Sequence, residues 1–313
     1  MKTALTEMLG IEHPVIMAPM FLVSNTKMTI AALNNGITAA FPALNYRTEE
    51  ELRAAIQEIK KSSDQLFGVN LIVNKSNVKL DYQLKVCVEE QVGFVITSLG
   101  SPEEVIKQCK PAGVKVFCDV VDLKYAQKVE RLGADALIAV NSKAGGHCGP
   151  LPQEELIPLL KKNCSIPVIS AGGISKAGDL KDTLSLGADG VSVGTVFIAS
   201  EECDVSSEYK NAMVQYGAKD IVLSTKLSGS HLTVINTPYV QELGTEAGFL
   251  ERVMKKHKWL KKWIKMLIFY KGMKSIEKAA FGATYKTVWC AGPSIENVKS
   301  IRPVKDIVAE LVS

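Results

Sequence analysis

The sequence lacks three things, and each absence excludes a class. It has no long apolar run: uninterrupted hydrophobic stretches are only a few residues each, and Met1-Lys2-Thr3-Ala4 opens into a polar turn, so neither a membrane span nor a signal peptide is expected. It has no cysteine pattern. Cys87, Cys109, Cys118, Cys148, Cys164, Cys203 and Cys290 are odd in number, scattered and without a CxxC pair. That argues against a disulfide framework or a thiolate metal site, so no metal is expected, and it fits a reducing cytoplasm. Finally, no strand-linked GxGxxG and no Walker sequence occurs, which disfavours a Rossmann dinucleotide site and an NTPase.

What is present has the composition of an ordinary globular enzyme: 313 residues, 47% hydrophobic and 22% charged, enough for one large domain and an appendage. The net charge of +4 is unevenly placed, because Glu251 to Lys278 holds ten Lys or Arg against two Glu. The rest of the chain is therefore net negative, and the basic patch describes one surface rather than the whole protein.

Short β-branched or apolar runs alternate with helical spacing. Strands are expected at Val15–Met17, Ile37–Phe41, Phe67–Ile72, Phe94–Thr97, Val114–Cys118, Ala136–Val140, Val168–Ser170 and Gly190–Val193. Between them, Glu49 to Lys61 carries Leu52, Ala55, Ile56 and Ile59 on one helical face, and Ser101-Pro102-Glu103-Glu104 is a helix start. Strands that are apolar throughout and alternate with helices make a parallel sheet covered on its outer side. Eight such units in about 200 residues suit a (β/α)8 barrel, an α/β fold, better than an open sheet. The repeated phrases Leu132-Gly133-Ala134-Asp135 and Leu186-Gly187-Ala188-Asp189 place a helix end, a glycine cap and a strand start in one order, as any α/β protein does.

Domain limits are expected at 1–203 for the barrel, 204–288 for a mainly helical cap, and 289–313 for the segment closing the barrel. The span 201–290 reads as loop-rich through Pro238, followed by the basic helix, and Ser294 to Leu311 reads as helical.

In a parallel barrel the site lies at the carboxyl ends of the strands, with phosphate held after strands seven and eight. Ala171-Gly172-Gly173-Ile174-Ser175 and Val193-Gly194-Thr195 occupy those two places. Glycine lets backbone N–H groups approach an anion closely. Either loop alone also reads as a tight turn, the less favoured alternative; both together make phosphate clearly the better reading. After strand six, Asn141-Ser142-Lys143-Ala144-Gly145-Gly146-His147-Cys148-Gly149-Pro150 sets a histidine among glycines, where it can approach a flat ligand and exchange a proton near neutral pH. A lone turn histidine exposed to water is the ordinary alternative, and His13, His231 and His257 are read that way, with His231 a weak candidate. Cys148 reads as a buried thiol rather than a reactive one.

Met17-Ala18-Pro19-Met20, Gly68-Val69-Asn70, Ala144-Gly145-Gly146-His147-Cys148-Gly149, Ala171-Gly172-Gly173-Ile174 and Gly187-Ala188-Asp189-Gly190-Val191 running into Gly194-Thr195 together resemble the nitronate monooxygenase family, formerly 2-nitropropane dioxygenases. The flavin-dependent enoyl-ACP reductases share its superfamily. The resemblance spans roughly residues 5 to 200 and returns at Ala291-Gly292-Pro293-Ser294. It implies FMN bound without covalent attachment by Ala18, Pro19, Met20, Asn70, Asn141, Gly145, Gly146, Ala171, Gly172, Gly173, Ser192, Val193, Gly194 and Thr195, with His147 as catalytic acid or base. The redox chemistry would then belong to the flavin. Two positions depart from the family: Lys143 stands where Glu is common, and Pro293 where Gln is common. The Met-Ala-Pro-Met phrase favours oxidation of alkyl nitronates by dioxygen. An NAD(P)H-using reductase of enoyl thioesters or quinones is the second reading, and a flavin-binding protein without turnover the third.

From Arg252 to Tyr270 two apolar stripes lie among lysines. This fits a cap helix on the barrel or on a second subunit of a homodimer; docking of acyl carrier protein and peripheral membrane contact are less favoured. Nucleic-acid binding has no reading motif to support it.

Overall fold

The computed structural model describes residues 2–225, 231–245 and 288–313. The basic segment 251–278, with the carrier-protein, subunit and membrane readings attached to it, lies outside the described residues. Eight parallel strands close into a barrel: β1 (Val15–Met17), β2 (Thr38–Pro42), β3 (Gly68–Ile72), β4 (Phe94–Ser98), β5 (Lys115–Val120), β6 (Ala136–Val140), β8 (Val168–Ala171) and β9 (Gly190–Val193), with β9 pairing back onto β1. A two-residue strand, β7 (Gly146–His147), leaves the barrel between β6 and β8.

The outer helices form where the sequence supplies caps and one apolar face. α1 (Ala4–Leu9) and α2 (Thr26–Leu33) precede β2. In α3 (Glu49–Ser62), the Thr48 hydroxyl accepts from the Glu51 N–H, acidic residues fill the first turn, Lys60 and Lys61 fill the last, and Leu52, Ala55, Ile56 and Ile59 are buried. α4 (Leu80–Glu89), α5 (Glu103–Cys109), α6 (Leu123–Leu132), α7 (Gln153–Asn163) and α8 (Ala177–Ser185) complete the ring.

The repeated Gly-Ala-Asp phrase has a specific task here. Gly133 ends α6 in the left-handed region, and Asp135 then accepts from the Val116 N–H at 2.7 Å while its own N–H donates to Val116 O at 2.8 Å. Asp189 makes the equivalent pair with Val168, at 2.8 and 2.7 Å, and adds Lys161 at 2.7 Å. Each aspartate thus satisfies a backbone donor near the start of the preceding strand, one residue before that strand pairs with the next one.

The barrel interior is packed solid in its lower layers by Ile16, Ala40, Phe94, Ile96, Phe117, Ala136, Ile138 and Ile169. Phe94 and Phe117 stack with centroids 4.7 Å apart, and Gly68 is forced by the Phe94 ring, since a Cβ there would sit 2.2 Å from it. The space that this packing leaves open lies above it, at the carboxyl ends of the strands.

Beyond β9, among the described residues, the stretch expected to be loop-rich through Pro238 carries regular elements. After a 3-10 turn at Thr195–Ala199 it forms α9 (Ser207–Gln215), then β10 (Ile221–Ser224) and β11 (Leu232–Ile235), then α10 (Pro238–Leu243). β10 and β11 are antiparallel, and β11 pairs on its other side with β7. The carboxyl-terminal part also differs from a single helix: Pro293–Asn297 is a 3-10 turn, and α11 (Val304–Val312) begins after Pro303. Between them Arg302 bridges Ser200, so the backbone there is used in pairing, and the following proline disfavours a helical Arg302.

Candidate active site

A cavity of about 790 Å3 opens over the carboxyl ends of the strands, within the range of sites that enclose a cofactor-sized molecule. Its wall contains Ala18, Pro19, Met20, Asn70, Gly145, Gly146, His147, Ala171, Gly172, Gly173, Ser192, Val193, Gly194 and Thr195. The structure therefore brings together residues that lie up to 177 positions apart and that the sequence had singled out.

One expected contact is corrected. Asn141 is fully buried and absent from the cavity wall. Its amide nitrogen donates to Gly172 O at 3.0 Å and its Oδ1 accepts from the Lys143 N–H at 2.8 Å, so it ties the loop after β6 to the loop after β8. Its side chain is used in joining the two loops, which leaves it supporting the site rather than lining it.

The glycine loops are shaped by close approach. Gly172 and Gly173 have φ of +119° and +84°, and a Cβ on Gly172 would lie 2.5 Å from both Ala144 N and Asn141 Oδ1. Among the described residues, the N–H groups of Gly172, Gly173 and Gly194 meet no acceptor, so three backbone donors on the two cavity-lining loops are left without a described protein partner. The Thr195 hydroxyl accepts from the Gly292 N–H at 3.0 Å and keeps its own proton to donate. Donors of this kind fit an anionic group such as a phosphoryl.

His147 is held by the excursion rather than by the barrel alone. Gly146 and His147 pair with Thr233 and Leu232 of β11. The Thr233 hydroxyl reaches Ala144 O at 2.6 Å and Gly146 O at 3.3 Å, which fixes the backbone on the amino side of the histidine. The imidazole lines the cavity with open surface toward its interior, and neither ring nitrogen is hydrogen-bonded among the described residues. Protein surrounds the open space on most sides, and this desolvation lowers the His147 pKa below the ordinary 6.5. The ring is therefore neutral at neutral pH and able to accept a proton. Cys148 beside it is half-buried, and burial raises its pKa, which keeps it a thiol.

Of the polar residues on the cavity floor, the sequence points to Asn70 and not to Ser98, Asp119 or Tyr125. Asn70 donates to Ile96 O at 3.1 Å and to Ser98 Oγ at 2.7 Å, and Ser98 in turn donates to Asp119 Oδ2 at 2.5 Å. Asp119, Ser98 and Tyr125 all line the cavity. Burial raises the Asp119 pKa from 3.8 to about 6, the Ser98 hydrogen bond opposing the rise. Strand five was expected to end at Cys118, whereas β5 runs on to Val120. The missed signal is an acidic residue two positions after Phe117 in an otherwise apolar run, which places it on the same inward face.

The two departures from the family pattern separate in space. Lys143 lies at the cavity wall with its stem over Gly173, half-exposed, its ammonium 3.9 Å from Glu154. A surface pair of this kind leaves the positive charge available to the cavity mouth. Pro293 starts the 3-10 turn and borders a smaller depression outside the main cavity, while its neighbour Ser294 lines the main one. His231 lies at the edge of both.

A profile of the nitronate monooxygenase family matches residues 2–313. A (3aS,4S,5R,7aS)-5-hydroxy-7a-methyl-1-oxo-octahydro-1H-indene-4-carboxyl-CoA dehydrogenase from Rhodococcus jostii is 32% identical over 243 residues, covering 78% of this chain and 68% of its own. A probable nitronate monooxygenase from Staphylococcus aureus is 26% identical over 291 residues, 79% of this chain and 82% of its own. Among solved structures, FabK from Thermotoga maritima superposes with a TM-score of 0.86 at 29% identity, over 99% of this chain and 95% of that one. Nitroalkane oxidase from Streptomyces ansochromogenes, at 22% identity over 99% and 96%, has a TM-score of 0.82 and shares the fold.

Proposed function

The chain belongs to the nitronate monooxygenase family of flavin-dependent oxidoreductases, and from that premise we propose that it holds FMN and oxidises alkyl nitronates or nitroalkanes with dioxygen to carbonyl compounds and nitrite. The observation that carries this reading is the neutral imidazole of His147 lining a cavity whose wall also holds three backbone donors without a partner among the described residues. Those donors, at Gly172, Gly173 and Gly194, would hold the phosphate. Ala18, Pro19 and Met20 at the end of β1, Gly145 and Gly146 on the opposite loop, and Ala171, Ser192, Val193 and Thr195 would line the rest of the cofactor site. Asn70 has given both amide protons away, so its free Oδ1 would accept a hydrogen bond from the ring or the ribityl chain.

A bound flavin supplies the electron transfer from substrate to dioxygen. His147 does the proton chemistry: its unprotonated nitrogen accepts the acidic α-proton of a neutral nitroalkane, and its protonated form orients a preformed nitronate. Lys143 at the mouth favours ligands carrying negative charge.

A second reading is an NAD(P)H-dependent flavin reductase acting on an enoyl thioester or a quinone. The likeness to FabK and the 32% identity to the indene-carboxyl-CoA dehydrogenases, whose named substrate is a CoA thioester, favour it. Anaerobic stopped flow separates the two. Propionate 3-nitronate is expected to bleach the flavin faster than NADH or NADPH does; the reverse order would transfer the assignment to the reductase. The absorption spectrum of the purified protein, with identification of the released cofactor, tests FMN itself.

A further inference from the structure

The floor of the cavity is divided by charge. On the side of β6 and β8 it is apolar, formed by Ile138, Val140 and Ala171; on the side of β3, β4 and β5 it carries Asn70, Ser98 and Asp119. The hydrogen bonds there run one way, from the Asn70 amide to the Ser98 hydroxyl to Asp119 Oδ2. The second carboxylate oxygen, Oδ1, has no partner among the described residues and is not sealed off, so it faces the open cavity.

Among the described residues, no basic side chain balances this carboxylate. Lys143 stands at the mouth and is turned toward Glu154. From α6, Tyr125 gives its proton to Gly100 O, and burial holds its pKa at about 12; burial also holds the Cys118 thiol at about 12. The neighbouring strand β6 contributes only Ile138 and Val140, and His147 at the rim is neutral near pH 7. The carboxyl is therefore close to giving up or taking a proton in the neutral range, with its pKa near 6 set by burial and opposed by Ser98. A negative charge arriving above it, in space shielded from water, tips that balance toward protonation.

We propose that Asp119 is a proton-accepting group linked to reduction of the cofactor: when a flavin in this cavity takes up two electrons and one proton and becomes an anion, the Asp119 carboxylate takes up a second proton from solvent. The inference rests on the flavin reading above. The substrate is the reductant in turnover; on reoxidation by dioxygen, Asp119 releases the proton it gained. Within the pH interval between the carboxyl's two pKa values, two electrons then travel with two protons in place of one, and the cavity does not hold both negative charges.

The test is the midpoint potential of the FMN-loaded protein as a function of pH, measured against redox dyes without substrate. One extra proton per two electrons steepens the pH dependence by about 30 mV per pH unit. Wild type is expected to show such an interval beginning near pH 6, and Asp119→Asn to lack it. Ser98→Ala, which removes the hydroxyl favouring the ionised form, is expected to move the interval to higher pH. Parallel curves for wild type and Asp119→Asn would overturn the inference while leaving the flavin reading intact. A protein that takes up no flavin overturns both. Should Asp119→Asn fail to hold FMN, the infrared difference spectrum of wild type on reduction at pH 7 decides: a growing band of protonated aspartate, shifted by aspartate isotope labelling and by Ser98→Ala, supports the coupling, and absence of the band refutes it.

Discussion

Protonation at the site is set residue by residue through burial. The His147 pKa is lowered, so the base form persists to a pH below 6.5 and is lost only as pH falls through the lowered value. With a neutral nitroalkane, kcat/KM should therefore show an acid limb with a midpoint below 6.5, and His147→Asn should remove the limb together with about 10²–10⁴-fold of the rate while FMN remains bound. With a preformed nitronate the loss should be smaller, since no carbon–hydrogen bond needs breaking by the enzyme; parallel steady-state assays of the two substrates check this. Gly172 makes a different demand. A Cβ there would collide with Ala144 N and Asn141 Oδ1, and φ of +119° is strained for any other residue. Gly172→Ala should weaken FMN binding, read by fluorescence quenching on titration, more than it affects the apoprotein's secondary structure by circular dichroism.

The elements divide into those readable from neighbours and those readable only from distant partners. β1, β6 and β9 have the limits expected from their apolar runs, because a buried parallel strand shows its whole length as hydrophobic sequence. β5 was cut short because Asp119 interrupts that run, which is also why its place on the cavity floor went unseen. β7 is two residues, one of them glycine, and becomes a strand only because β11 arrives from 85 positions further on. No local pattern announces such a strand. This small sheet has a mechanical consequence. Thr233→Val removes the hydroxyl that bonds Ala144 O and Gly146 O, and should destabilise the loop by about 1–3 kcal/mol, since buried carbonyls lose a donor. The expected result is a fall in kcat larger than the loss of FMN affinity, because the hydroxyl holds the loop that carries His147 and makes no bond to Gly172, Gly173 or Gly194. Thr233→Ser should restore most of the rate.

For the molecule as a whole, the cavity couples stability to occupancy and to pH. Added FMN should raise the melting midpoint in proportion to the logarithm of its concentration, contributing about 2.7 kcal/mol at roughly 100 times Kd. Differential scanning fluorimetry across an FMN series measures this, and a flat response would contradict specific binding. Asp119 contributes with the opposite sign to a paired carboxylate. Its folded pKa of about 6 lies above the unfolded value near 3.8, so the fold binds the proton more tightly and loses stability as pH rises from 3.8 to 6. In the apoprotein, Asp119→Asn should melt higher than wild type above pH 6, and the difference should shrink toward zero below pH 4.

The amino-acid order by itself determined the barrel, the glycine loops and the histidine, because each rests on local chemistry: apolar runs of strand length, caps at helix ends, glycines where a backbone must come close. The tertiary structure alone decided which atoms remain available. It used the Asn141 side chain in tying two loops together, turned Asp119 inward beside Ser98, and brought β11 across to hold His147. These outcomes depend on contacts between strands distant in sequence, and on how much water the closed cavity excludes, and neither quantity is carried by any short stretch of chain.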